Sequence, residues 1–367
     1  MPLFHFNNIK ISAVAAAVPS TKITVSDFAK KFGDDYVKKF SESTGVREMR
    51  YTRPHQTASD LAFAAANKIL TEKNIDKDSI KALVFAAHST DYRRPATACI
   101  LHKRLSLSKD CVAFDMSLGC SAFVYSLQTI CSLMSNSDID RALLLVGETM
   151  SKLVNPNDKS VAMLFGDGGA AILLEKSTSS HSITGLLKTD GSGYKAIIAP
   201  GGGARWPDAP HDDFQCKDGN IRNLYNSIMQ GEDVFSFTIS DVPRTIKEFL
   251  NRTKTSMDDY DCLAFHQANQ FIHKMMAKKL KCDLTKMPLC IHKYGNTSAA
   301  AIPLLLCDTY GTSYESKLMK FLMCGFGVGL SWGVVSADID LTNIFPVIED
   351  DNYFAEGIIM HPDELTS

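Results

Sequence analysis

Asp115-Met-Ser-Leu-Gly-Cys-Ser-Ala-Phe-Val-Tyr125 is the stretch on which the reading of this chain turns. The apolar segment Cys111-Val-Ala-Phe114 leads into it, and Phe123, Leu127, Ile130 and Met134 follow at i, i+4, i+7 and i+11. An extended apolar run followed by helical periodicity puts Cys120 where a strand turns into the first turn of a helix. Free N–H groups and the positive end of the helix dipole favour a thiolate there. The expectation is a nucleophile at neutral pH, against the commoner alternative of a buried structural cysteine.

Outward from this segment, Ala82-Leu-Val-Phe-Ala-Ala87, Ala142-Leu-Leu-Leu-Val146 and Ala170-Ala-Ile-Leu-Leu174 are continuously apolar. Such runs suit strands covered on both faces. Residues 58–70 and 244–250 carry helical patterns, and the alternation implies an α/β protein. An internal repeat is more informative. Ala86-Ala-His-Ser-Thr90 and a helix over 96–105 are matched by Leu263-Ala-Phe-His-Gln-Ala-Asn269 and a helix over 271–280. The Cys120 segment is matched by Gly295-Asn-Thr-Ser-Ala-Ala-Ala-Ile-Pro-Leu-Leu305, and Leu164-Phe-Gly-Asp-Gly-Gly-Ala-Ala-Ile-Leu173 by Cys324-Gly-Phe-Gly-Val-Gly-Leu-Ser-Trp-Gly333. The parts share an order, not a length. The pattern predicts duplicated halves, 1–180 and 181–338, with Cys120 and Asn296 at equivalent helix starts. Residues 339–367 hold many acids and neither Lys nor Arg, and read as a solvated tail, with packing of Ile344-Phe-Pro346 and Tyr353-Phe354 on a neighbour as the alternative. Residues 191–220, rich in Gly, Pro and Asp, read as an irregular surface excursion.

Bulk properties exclude several classes. A net charge of −2 without a basic cluster argues against nucleic acid as a partner. Ten cysteines without a CxxC pair predict neither a disulfide framework nor a metal site, and fit a reducing cytoplasm. No apolar run is long enough to span a bilayer. Ile11-Ser-Ala-Val-Ala-Ala-Ala-Val-Pro19 is read as a buried first strand rather than a signal-peptide core.

Cys120, His266 at a strand end and Asn296 at a helix start form the chemical constellation. Singly, each has an ordinary structural explanation; the duplication places them together. A hydrolase could use such a set, with His deprotonating Cys. A carbon–carbon bond-forming enzyme could use His and Asn to stabilise an enolate while Cys holds an acyl group.

Eight segments in order resemble the β-ketoacyl-acyl-carrier-protein synthase III family of the thiolase-like superfamily, from about residue 8 to residue 337. Besides the Cys120 segment they are Thr44-Gly-Val-Arg-Glu-Met-Arg50, Pro95-Ala-Thr-Ala-Cys-Ile-Leu101, Phe165-Gly-Asp-Gly-Gly-Ala-Ala171, Met229-Gln-Gly-Glu-Asp-Val-Phe235, His266-Gln-Ala-Asn269, Lys293-Tyr-Gly-Asn-Thr-Ser298 and Gly325-Phe-Gly-Val-Gly-Leu-Ser-Trp-Gly333. The resemblance implies a five-layered α-β-α-β-α fold. It implies acylation of Cys120, decarboxylation of a malonyl thioester promoted by His266 and Asn296, and an oxyanion hole from the backbone of Cys120, Gly327 and Val328. It also implies substrate contacts at Lys159, Arg205, Asn269 and Phe326, no bound cofactor, and a homodimer acting on coenzyme A or acyl-carrier-protein thioesters. In the family, the segment after His88 reaches the partner's acyl pocket; Arg93 and Arg94 fall there and read as surface residues, with recognition of a polar acyl group as the alternative. Lys39, Ser43 and Lys159 replace the family's coenzyme A-gripping Trp and Arg residues, which points toward a carrier protein as donor. Ala122 and Val328 stand where glycines are usual and predict a narrower pocket. Acyl transfer to an alcohol or amine, and a non-catalytic partner subunit, are the alternatives.

Overall fold

A computed structural model describes residues 3–178 and 181–365. Among them the chain builds two central mixed sheets. In the first, Ile9–Val18, Asp167–Lys176, Arg141–Thr149, Ala82–Ala86 and Val112–Met116 lie side by side in that order. In the second, the order is Ser182–Thr189, Ser331–Asp340, Leu318–Gly327 and Cys262–Phe265. Both sheets run antiparallel, antiparallel, parallel across the matching strands. The predicted duplication is therefore visible as a shared topology. The expected junction near residue 180 falls on residues 179–180, outside the described residues.

The strands are apolar on both faces because each sheet is covered twice. Val84, Leu144 and Ile172 join Phe321, Met323 and Val335 in a central core with the helices Ala122–Ser135 and Ala301–Tyr310. Leu83, Phe85, Leu143 and Leu173 face the other way, onto the helices Ala58–Glu72 and Thr97–Leu105. Leu263, Leu322 and Val334 pack against Gly231–Thr253 and Gln270–Leu280. Five layers result, α-β-α-β-α. The helix foreseen over 244–250 extends to Gly231–Thr253, with Pro243 inside it and the charged pair Glu232 and Asp233 in its first turn.

The expectation of a solvated tail is corrected for residues 344–357, where Ile344 joins the core and Phe354 meets Arg104. Residues 348–349 add a strand to the first sheet, parallel to Ala17 and Val18. Glu349 pairs with Arg50 at 2.8 Å, Asp351 with Arg53 at 3.0 Å, and Phe354 N–H donates to Asp60 Oδ1 at 3.0 Å. Of the acids that suggested solvation, Glu349, Asp351 and Glu356 find cationic partners on the body of the protein, while residues 359–365 remain exposed. The strand Ser331–Asp340 also crosses the boundary drawn at residue 338.

Asp60 is the hub of this docking. It pairs with Arg104 at 2.9 Å, both side chains nearly inaccessible, and accepts Thr57 N–H at the start of its helix. Arg104 lies between the rings of Phe63 and Phe354, at 4.3 and 4.9 Å from their centroids. Asp60→Ala would leave the guanidinium buried without its counter-charge. The expected loss of unfolding free energy in urea titration is roughly 3 kcal/mol; a loss below about 1 kcal/mol, typical of an exposed pair, would contradict this role.

Candidate active site

The parallel strands deliver the reactive side chains at their C-terminal ends, where open α/β sheets place their sites. Val112–Met116 leads through Gly119 to Cys120, two residues before the helix Ala122–Ser135. Cys262–Phe265 leads to His266, whose N–H is held by Cys324 C=O at 2.8 Å. Asn296 precedes the turn Ser298–Ala300 and the helix Ala301–Tyr310. Its backbone bridges to the other half: Asn296 N–H donates to Leu164 C=O at 2.8 Å, and Gly166 N–H donates to Asn296 C=O at 3.1 Å. Gly166 is needed there, since a Cβ would come within 2.1 Å of the Tyr294 carbonyl oxygen.

Cys120, His266 and Asn296 line one cavity of about 130 Å³, together with Asn269 and Phe326. Phe326 meets the His266 ring edge-on, with centroids 5.3 Å apart. Asn269 accepts Ile272 N–H at 2.7 Å and so starts the helix Gln270–Leu280. Cys120 also borders a second cavity of about 360 Å³, lined by Glu148, Met150, Ile197, Tyr225 and Val328 among others. Cys120 stands at the junction of the two. A larger cleft of about 1020 Å³ lies under the C-terminal segment near Asp60 and Arg104, but none of the three reactive residues lines it.

The backbone N–H groups of Cys120 and Val328 approach the Cys120 sulfur. Gly327 permits this: a Cβ there would stand 2.6 Å from Cys120 Cβ and 2.9 Å from Sγ. Val328 lines the second cavity, and its Cγ1 packs so close to Gly119 that a Cβ there would stand 2.9 Å from it. Ala122 is buried in the central core and lines neither cavity.

The expected thiolate is not what the surroundings favour. Cys120 keeps part of its surface open to the cleft, but its sulfur is enclosed. Burial is the strongest influence on it. It pushes the thiol up to about 11; Ser298 pulls the other way and the nearby Glu148 charge adds to the rise. His266 is held down at about 3 by burial and then by His273. Thiol and imidazole are thus both neutral near pH 7. It follows that iodoacetamide labelling of Cys120, followed by peptide mass, should accelerate about tenfold per pH unit from roughly pH 7 to 9. A rate already at its plateau at neutral pH would contradict the enclosed thiol.

Two predicted contacts lie elsewhere. Lys159 Nζ sits 5.5 Å from the centroid of the Tyr36 ring, and the Tyr36 hydroxyl donates to Lys159 C=O. Arg205 is exposed on the loop after Gly203. Neither lines the cavities at Cys120. Arg93 and Arg94 are exposed, as the surface reading expected.

Sequence reasoning missed Ser298, Glu148 and His88. Ser298 holds its Oγ 3.7 Å from Cys120 Sγ, at a positive φ of 49°, with its N–H on Asn296 Oδ1 at 2.9 Å. Its signal was its place two residues after Asn296. For Glu148 the signal was an acid ending the apolar strand Arg141–Thr149. His88 follows another such strand and lines the larger cavity.

With this geometry in view, residues 114–191 match the family described as 3-oxoacyl-[acyl-carrier-protein (ACP)] synthase III, and residues 250–339 match its C-terminal family. A β-ketoacyl-[acyl-carrier-protein] synthase III of Streptococcus pneumoniae is 34% identical over 330 residues, covering 89% of this chain and 98% of the relative. The crystal structure of a 3-oxoacyl-(acyl-carrier protein) synthase from Burkholderia xenovorans superposes with a TM-score of 0.90 at 33% identity, covering 95% of this chain and 99% of that one. A 3-oxoacyl-[acyl-carrier-protein] synthase III from Aquifex aeolicus superposes with a TM-score of 0.77 at 27% identity, covering 90% and 100%.

Proposed function

The chain belongs to the 3-oxoacyl-[acyl-carrier-protein] synthase III family of condensing acyltransferases, and from that premise we propose how its own residues perform the condensation. Cys120 attacks an acyl thioester, its proton leaves with the departing thiol, and the acyl group remains on sulfur. A malonyl thioester then binds in the cavity that His266 and Asn296 line. His266 donates through Nε2–H and Asn296 through its amide to the thioester oxygen. Loss of carbon dioxide leaves an enolate whose charge these donors stabilise. The enolate carbon attacks the acyl carbonyl, whose oxygen lies between the N–H groups of Cys120 and Val328. Collapse expels the Cys120 thiolate, which takes up a proton, and releases a 3-ketoacyl thioester.

The observation that carries this reading is the placement of Cys120 where two cavities meet, with backbone donors at its sulfur and His266 and Asn296 beside one cavity only. A neutral His266 can donate through Nε2–H, whereas burial disfavours the imidazolium that a thiolate–imidazolium pair with Cys120 would need. Asn296 favours condensation over simple transfer to an alcohol or amine, which has no enolate to stabilise. We assign an acyl-carrier protein as the carrier of the extender. Neither Lys159 nor Arg205 lies beside the cavities, and Lys159 is engaged with Tyr36.

The same reading includes a homodimer. Val112–Met116 is an edge strand of its sheet, and Val112 is half exposed, so a second copy has an edge to meet. All ten cysteines are unpaired thiols, which suits a reducing cytoplasm. Among the described residues no helix is long and apolar enough to cross a membrane. The halves 1–180 and 181–338 would supply the nucleophile and the decarboxylating pair respectively. Incubation with acetyl, short-chain acyl and hydroxyacyl thioesters, followed by mass analysis of the Cys120 peptide, should show the acyl adduct. Absence of an adduct with every donor would overturn the reading.

A further inference from the structure

Ser298 places a hydroxyl against the one atom of the site that must carry negative charge twice. It is 4% exposed, lines the larger cavity and holds its Oγ 3.7 Å from the Cys120 sulfur. Among the described residues that hydroxyl has no other hydrogen-bond partner. Its backbone sits at φ 49°, a left-handed conformation uncommon for a residue with a side chain, and its N–H is tied to Asn296 Oδ1 at 2.9 Å. A residue held this way is fixed by its surroundings, and such conformations collect at functional sites.

The sulfur is charged when Cys120 attacks the donor and again when the new carbon–carbon bond expels it. Little else in the site helps it then. Among the described residues, neither cavity has a Lys or Arg in its lining. His88 and His266 line them, but burial lowers both, His266 to about 3, so both are neutral near pH 7. Glu148 faces the same cavity as Ser298, and its charge disfavours a thiolate. The N–H groups of Cys120 and Val328 approach the sulfur, but at the tetrahedral stage they hold the oxyanion. The Ser298 hydroxyl is the donor left for the sulfur. Burial dominates the Cys120 thiol and raises it, and Ser298 is the largest influence against that rise. Hydrogen bonds to a charged acceptor are shorter and stronger than those to a neutral one, so the contact tightens as charge develops.

We propose that Ser298 is a further catalytic residue, whose hydroxyl donates a hydrogen bond to the Cys120 sulfur and stabilises it as the attacking and the departing thiolate. This rests on the reading that Cys120 carries the acyl group. As the bond between sulfur and the acyl carbon breaks, its electron pair stays on sulfur, and Ser298 keeps its own proton.

The test is single-turnover acylation of Cys120 by the N-acetylcysteamine thioesters of acetate and butyrate, read from the mass of the Cys120 peptide. These small donors need neither coenzyme A nor a carrier protein. Ser298→Ala and Ser298→Gly should each be acylated about tenfold more slowly than the native protein, the scale of a lost hydrogen bond to a charged group. Glycine adopts a positive φ freely, so agreement between the two variants separates the missing hydroxyl from any change in backbone strain. Both variants keep the N–H that holds Asn296 Oδ1, so labelled carbon dioxide release from a malonyl thioester should change far less. Iodoacetamide labelling of Cys120 should also be slower in both at each pH from roughly 7 to 9. Acylation at the native rate in either variant, or carbon dioxide release falling as far as acylation, would overturn the proposal while leaving the acyl-carrying role of Cys120 intact. Acylation of the native protein by neither donor would instead overturn that role, and this inference with it.

Discussion

Cys120→Ala is expected to reduce formation of the 3-ketoacyl product by at least roughly 10³-fold, the scale on which loss of a covalent nucleophile is felt. The fold should survive, because the substitution removes one sulfur from a cavity wall and no hydrogen bond on which a strand or helix depends. Thermal unfolding reports that directly, and a shift within a few degrees separates lost chemistry from lost structure. Turnover within about tenfold of the native protein would show that the acyl group never resides on Cys120.

His266→Ala and Asn296→Ala should split the reaction differently. Both residues line the smaller cavity and neither lines the larger one. Their donors act where enolate charge develops, so each loss should cost about 10²- to 10³-fold in decarboxylation of the malonyl thioester. Acylation of Cys120 in a single turnover should change far less, because the donors proposed for its oxyanion are the backbone groups of Cys120 and Val328, which approach the sulfur. Labelled carbon dioxide release and mass analysis of the Cys120 peptide read the two steps separately. Equal losses in both would mean that His266 activates the thiol, as in the hydrolase alternative.

The meeting of Cys120, His266 and Asn296 at one cavity was legible because each sits in a short local signature. Cys120 follows a strand and opens a helix, His266 ends a strand, and Asn296 opens the matching turn. The repeat that joined them reappears as matching strand order in two sheets. What depends on distant partners was not legible. The helix-start position of Cys120 suggested a thiolate, but the groups enclosing its sulfur include Gly327 and Val328, two hundred residues on. The acidic C-terminal segment suggested solvent until Arg50, Arg53 and the Phe63–Arg104–Phe354 stack supplied its partners. Glu148 was not legible because an acid near the end of an apolar strand is ordinary in sequence, and its partners at His88 and Ser89 lie some sixty residues earlier.

The central claim is that Cys120 holds an acyl group while His266 and Asn296 decarboxylate the extender that attacks it. The most direct measurement begins with protein acylated on Cys120 and freed of donor, then adds malonyl-acyl-carrier protein with a labelled carboxyl group. The account predicts one labelled carbon dioxide released for each acyl group leaving Cys120, with a 3-ketoacyl-carrier protein as the product. Departure of the acyl group to water, an alcohol or an amine without carbon dioxide release would contradict it.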